Sequence, residues 1–373
     1  MRFVDGAAAA LWLLLLLPVH AQDVLVTGYP ASKPFLDQVL TARGWSQLPS
    51  TPLSPGETWT GADGRRVVNL DWRPPAASVA ALSDHPEEVD RRGALFSGGL
   101  TLQRALRLQY YHLGSLDGSS PELCLWVTNP AAEAARLHLA WAAGEPSLDY
   151  FSTGHGNNVA WFRKQVSGEG EFLDIPPGGS RIVFRQPMPR DHVVSGTLGL
   201  TLVQGPPLQF GLLALPDSSA PPSWNNLLKD GDVHSRGFYP VATQRIRRHH
   251  QVGQASETRI AIGAVRQETF SGVRELRGDY GVVYDVELQL HNPLAIPATV
   301  DCLFNPRGGA ATATFLWNGE LLETPRTDAM KEALLASVKL EPGESRTLSL
   351  KTIPEGASSY PVRLVVRDRS RED

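Results

Sequence analysis

The sequence predicts a mainly β protein: two tandem immunoglobulin-like antiparallel β-sandwiches, each with one short helix inserted, plus a small N-terminal α+β appendage. Three observations carry this. Gly 34 and Pro 29 among 373 residues supply turns at a density suited to many short strands. Polar and apolar residues alternate in Glu287-Leu288-Gln289-Leu290 and Thr347-Leu348-Ser349-Leu350, the period of a sheet with one wet face. Finally, one pattern occurs twice. A strand-like run ends in Asn129-Pro130 or Asn292-Pro293, a second strand follows, and a Pro-Gly turn then leads through Ser-Arg into a third. Pro130 lies 47 residues before Pro177 and Pro293 lies 49 before Pro342, so the two copies keep nearly equal spacing, as a tandem duplication would.

The elements follow in order. Residues 1–21 read as a signal peptide. Arg2 precedes a 13-residue apolar run at 7–19, too short to span a bilayer, and Val19 and Ala21 are small residues ahead of a cut that leaves Gln22 at the N-terminus. Asp5 is unusual in such a leader. Residues 22–73 form the appendage: a strand at 23–27, a helix at 33–43 stopped by Gly44, and a hairpin turning at Asp63-Gly64. Residues 74–92, with Pro-Pro, Ala-rich and acidic stretches, read as a linker. The first sandwich occupies 93–215 and closes with an apolar strand at 208–215; its helix, 159–166, is capped by Asn158. A second linker covers 216–229. The second sandwich occupies 230–366, with a helix at 328–338 capped by Thr327, and a charged tail follows at 367–373.

Several segments, among them His85-Pro86-Glu87-Glu88, Tyr111-His112, Gly154-His155, Gly278-Asp279-Tyr280-Gly281 and Ser358-Ser359-Tyr360-Pro361, resemble a group of secreted bacterial proteins built on tandem β-sandwich units. Some members carry this unit beside cell-wall or copper-amine-oxidase-like N-terminal modules. The resemblance implies export and an all-β fold. The group has no assigned activity, so no residue role comes with it.

Composition narrows the function classes. Lys+Arg 35 against Asp+Glu 39 gives a net charge of -4, which offers no general attraction to nucleic acid. Two cysteines exclude a disulfide-dense scaffold and a zinc site built on paired Cys. No Walker lysine, His-Glu-x-x-His, nucleophile elbow or EF-hand loop is present. No cofactor is expected, although carboxylates and carbonyls in a sandwich loop leave room for a structural Ca2+.

The candidate ligand-binding residues are Asp149, His155, Asn157 and Asn158, grouped in one Gly-rich loop before a helix, and His234 and Arg236, just after the second linker. No catalytic or metal-ligating residue is assigned. Arg245 to His250 form the one basic cluster, read as a charged strand edge that resists edge-to-edge pairing or as a patch for an anionic polymer. Tyr110, Tyr111, Tyr150 and Phe151 lie near strand ends, where aromatic faces stack sugars in many modules. The expected protein is exported, extracellular or periplasmic, and non-catalytic. Its expected partner is a cell-envelope polymer, a polysaccharide or another surface protein, with no integral membrane segment. The alternative is a carbohydrate-binding module, or a carbohydrate-directed hydrolase using the Asp149/His155 loop.

Overall fold

The computed structural model describes residues 23–369 except 103, 119, 217–226, 230–233, 255–256 and 271–274. The expected leader peptide and most of the second linker lie outside the described residues. Strands dominate, as the turn chemistry and alternation require.

The first unit contains β6 (Gly93–Leu100), β7 (Leu106–Gly114), β8 (Glu122–Thr128), β9 (Ala135–Ala143), β10 (Gly170–Ile175), β11 (Ser180–Pro187), β12 (Val193–Gln204) and β13 (Leu208–Leu215). Its two sheets run β6-β13-β8-β11 and β7-β12-β9-β10. Counted along the unit, these are strands 1-8-3-6 facing 2-7-4-5, the order of an eight-stranded jelly roll. The immunoglobulin layout keeps its first two strands in one sheet, whereas β6 and β7 lie in opposite sheets. Leu108, Leu125, Leu137, Leu198 and Phe210 meet between the sheets, all at 0 % exposure.

The second unit contains β15 (Thr243–Gln251), β16 (Thr258–Ile262), β19 (Val283–His291), β20 (Ala298–Pro306), β21 (Thr314–Trp317), β22 (Glu320–Glu323), β23 (Ala333–Leu340), β24 (Ser345–Thr352) and β25 (Val362–Asp368), with a short ribbon of β17 (Gln267–Glu268) and β18 (Glu275–Leu276). Its sheets run β15-β19-β24-β21-β22 and β16-β25-β20-β23. Strand for strand, β16-β25-β20-β23 repeats β7-β12-β9-β10. With no counterpart of β13 among the described residues, β15 pairs directly with β19 in parallel.

Side-chain chemistry repeats as well. Asn129 and Asn292 are both fully buried. Asn129 Nδ2 donates to the carbonyls of Glu133 (2.7 Å) and Ile175 (3.1 Å), and its Oδ1 accepts from Ala131 N. Asn292 Nδ2 donates to Ile296 (2.9 Å) and Leu340 (3.2 Å), and its Oδ1 accepts from Leu294 N. Each amide closes its own turn and ties it to the strand that returns beside it, which is why Asn precedes Pro in both copies.

The insertions between the matched strands differ. In the first unit a helix, α2 (Tyr150–Ser167), lies on the outer face of β9 and β12. In the second, the β21–β22 hairpin takes that place. The helix expected at 328–338 is not formed: Ala333–Leu340 is the strand β23, paired antiparallel to β20 from Ala298↔Leu340 to Phe304↔Ala333. Sheet pairing outweighs the helix propensity of its Ala and Leu residues.

The segment read as the first linker holds two strands, β4 (Val79–Ser83) and β5 (Glu88–Val89), both parallel to β7. β4 is buried along its whole length. Val79 and Ala81 pack into the first core while Ala80 and Leu82 pack into the second. β14 (Arg236–Tyr239) pairs with its outer edge. In the appendage, β1 (Val24–Thr27), α1 (Lys33–Ala42), β2 (Thr58–Thr60) and β3 (Arg66–Leu70) form as expected, and β1 pairs with β10 to extend the same sheet. The strand that closes the second unit runs on to Asp368, so Arg367 and Asp368 belong to the sheet rather than to a tail. Cys124 and Cys302 are free and buried, their thiols pushed up to about 12, chiefly by burial.

Replacing Asn129 strands two backbone carbonyls, and replacing Asn292 strands three. Asn129→Ala and Asn292→Ala are therefore each expected to lower stability by about 2 kcal/mol or more, read as a fall in urea midpoint at unchanged slope. A change below about 0.5 kcal/mol, the range of ordinary surface substitutions, would contradict the repeated role.

Candidate functional site

The Gly-rich segment singled out in the sequence is helical rather than a loop. Asp149, not Asn158, is the N-cap: its Oδ1 accepts from Phe151 N at 3.2 Å, and Gly168 ends α2 in the left-handed region at φ 71. Gly154 and Gly156 oppose helix formation, so packing must hold it, through Phe151, Trp161 and Phe162, all buried. Gly154 is required by contact: a Cβ there would sit 1.9 Å from the carbonyl oxygen of Gly356 in the second unit.

That approach brings His155 into the second unit. Nδ1 lies 3.1 Å from Glu355 Oε2, and Nε2 lies 3.0 Å from Glu323 Oε2. The Glu355 side chain is 0 % exposed and also accepts from the hydroxyls of Thr312 and Thr314 (2.7 Å). Hydrogen bonding to Glu355 raises the His155 imidazole to about 9, against the opposing effect of burial, with Glu323 adding to the rise. Both ring nitrogens are committed to carboxylates, which leaves no lone pair for general-base work at neutral pH. Asn157 Nδ2 donates to Thr197 Oγ1 (3.1 Å), and Asn158 Nδ2 to the Ile353 carbonyl (2.7 Å). The four residues thus cap the helix or seat it.

Other contacts fix the units further. Arg107, on β7, is buried and donates to the carbonyls of Gly281 (2.7 Å) and Ala242; burial lowers it to about 10, still charged at neutral pH. Arg236 Nη1 lies within 3.0 Å of three carbonyls, those of His85, Leu95 and Leu228. It anchors the chain in this arrangement.

His234 does reach a cleft. At the N-terminal end of α2 a cavity of about 350 Å³ opens between the units, lined by Asp84, Glu87, Tyr111, Tyr150, His234 and Tyr280, with Gln109 and residues 356–359 completing it. Burial raises the Tyr111 phenol above its usual range, and the charges of Glu87 and Asp84 add to this. Tyr280, which donates to the Ser358 carbonyl at 2.7 Å, is pushed up to about 12 by burial and by Asp84. Both phenols therefore stay protonated in neutral solution. Tyr150 is 47 % exposed. Ala357 in the wall holds φ 70, a left-handed backbone that costs a non-glycine residue about 1 kcal/mol. A second cavity, of about 330 Å³, lies at the other end of α2 and has a more apolar lining that includes Trp161, Phe162 and Leu200.

Sequence reasoning named His234 and noted Tyr111 and Tyr150, but it missed Asp84, Glu87 and Gln109. The first two were hidden in the supposed linker, and a lone Gln on a strand carries no signal. Among the described residues no group of three or more His, Cys, Asp or Glu could hold a metal ion. The basic cluster is the edge strand β15, where Arg247 pairs with Glu287 and the buried His250 bonds to Thr258 and Asp368.

No family model and no curated protein matches the chain. Among solved structures it is similar to Lac15 from a marine microbial metagenome, at 12% identity and TM-score 0.16, covering 84% of this chain and 69% of that one. It is similar to the CBM22-1-CBM22-2 tandem domain of Paenibacillus barcinonensis Xyn10C at 10% identity and TM-score 0.15, covering 69% and 73%. Tripeptidyl peptidase 2 matches at 10% identity and TM-score 0.20, with 81% of this chain set against 24% of that one. Likenesses at this level assign no activity.

The His155 contact makes stability depend on pH. Its pKa rises from 6.5 unfolded to about 9 folded, so its contribution is complete below about 6.5 and is lost as pH climbs through about 9. His155→Gln should cost about 3 kcal/mol at pH 6, as expected when a buried pair loses one partner. The difference from the parent should shrink by pH 9.5. Equal denaturation midpoints at pH 6 would contradict the assignment.

Proposed function

We propose that the chain is an exported, non-catalytic binding protein that holds a saccharide segment of an envelope polymer in the cleft between its two sandwiches. The observation that carries this is the convergence of three tyrosines, two carboxylates and a buried amide from separate segments on one water-accessible cleft. Tyrosine faces stack the apolar faces of sugar rings, and carboxylates and amide carbonyls accept from sugar hydroxyls. The apolar run at 7–19 supports export.

Binding is favoured over hydrolysis by where the acids come from. Glycoside hydrolysis uses two carboxyls that flank the scissile bond. Asp84 and Glu87 both come from the short connection between β4 and β5, on one side of the cleft.

Tyr150 is exposed enough to remove without unfolding the chain. Tyr150→Ala is expected to weaken oligosaccharide binding about tenfold by titration calorimetry. Prolonged incubation with the parent should release no reducing ends. Unchanged affinity in Tyr150→Ala, or turnover that Glu87→Gln abolishes, would overturn the reading.

A further inference from the structure

The cavity of about 330 Å³ at the far end of α2 has a different chemistry from the cleft. Its walls are apolar, with Trp161, Phe162 and Leu200 from the first unit and Val283 and Leu316 from the second. Arg107, only 6 % exposed, belongs to the same lining. Its Nε and Nη2 donate to the Gly281 and Ala242 carbonyls. Its Nη1 has no hydrogen-bond partner, and the guanidinium no carboxylate partner, among the described residues. Burial lowers it to about 10, and no neighbouring carboxylate opposes that fall. Buried charges are ordinarily paired; carbonyls orient this guanidinium but bring no countercharge.

The second unit adds to the positive balance. Asp285 on β19 stands between Arg245 and Lys351, its register partners on β15 and β24. Lys351 Nζ is 3.7 Å from Asp285 Oδ2, beyond hydrogen-bond range, and Arg245 is exposed with no ion pair among the described residues. The lining therefore carries three cations and one carboxylate, in a chain whose net charge is -4. Its remaining polar groups leave that balance unchanged. Burial lowers the His138 imidazole to about 3 and so keeps it neutral, while Gln165, Thr201 and Thr243 are uncharged and can each donate a hydrogen bond.

An apolar cavity with a few fixed polar groups suits a small molecule, and a planar carboxylate matches the edge of a guanidinium. We propose that this cavity binds a small amphipathic carboxylate, its apolar body among Trp161, Phe162 and Leu200 and its anion on Arg107, drawn in past Arg245. The site lies at the opposite end of α2 from the saccharide cleft and does not depend on that reading.

The test is titration calorimetry of the full mature chain with octanoate, octanol and octylammonium, three probes that share one apolar body. In neutral solution at low salt, octanoate should bind at least about tenfold tighter than the other two, and added salt should narrow the gap. Arg245 is exposed, so Arg245→Glu should fold; it should weaken octanoate about fivefold or more and leave octanol unchanged. Arg107→Met should bring octanoate down to the level of octanol. Should that variant fail to melt cooperatively, Arg245→Glu decides alone.

Equal affinities for the three probes, or no binding of octanoate, would overturn the proposal. So would an octanoate preference that Arg245→Glu leaves unchanged, or one that persists in a folded Arg107→Met. Each of these results leaves the saccharide reading standing.

Discussion

The carboxylate of Glu355 is the constraint around which the two sandwiches are fitted. Its side chain is fully buried, and a buried carboxylate is tolerated only when it is paired and hydrogen-bonded. Thr312 and Thr314 supply hydroxyls from its own unit, but the cation comes from the other, as His155 on α2. Delivering that imidazole requires the helix backbone to touch the loop after β24, which only Gly154 allows against Gly356. The same seating commits Asn158 to the Ile353 carbonyl and places Tyr150, at the start of the helix, beside Tyr111 and Tyr280. The cleft is therefore a consequence of how the units lock together.

The two units are joined by more than a tether. β4 divides its side chains between the two cores, and β14 continues the sheet beyond it. Arg107 crosses the same boundary with its charge met by carbonyls. The two β-sandwich units share Asn-Pro turns and one matched four-stranded sheet, and they differ in the strand beside β15 and in what they insert between matched strands. One insertion is a helix that reaches its neighbour; the other is a hairpin that presents Glu323 to that helix.

Much of the fold was legible in the sequence because turn chemistry is local. Asn129-Pro130 and Asn292-Pro293 marked equivalent corners, and the alternation at 287–290 and 347–350 marked strands with one wet face. Strand order was not legible, since it depends on which distant strands pair, and a jelly roll and an immunoglobulin sandwich share the same local signals. Gly154, Gly156, Asn157 and Asn158 are poor helix formers, so a packed helix read as a loop. Ala333 to Leu340 erred the other way, being helix-prone residues held in a ladder. β4 was obscured because a strand buried on both faces shows a continuous apolar run without alternation.

The site was legible only in fragments. His234, Tyr111 and Tyr150 stood out by residue type and position, while Asp84, Glu87 and Gln109 acquire meaning only when β4, β7 and the loop after β24 are brought together. A cleft between two units has no contiguous motif to read.

The two sandwiches behave as one body, locked by α2. Differential scanning calorimetry of the parent and Gly154→Val tests it most directly. The parent is expected to unfold in one transition, with calorimetric and van't Hoff enthalpies equal. In Gly154→Val the added side chain would collide with the Gly356 carbonyl, and the transition should split in two. Two separate transitions in the parent, or a single unshifted transition in the variant, would contradict the account.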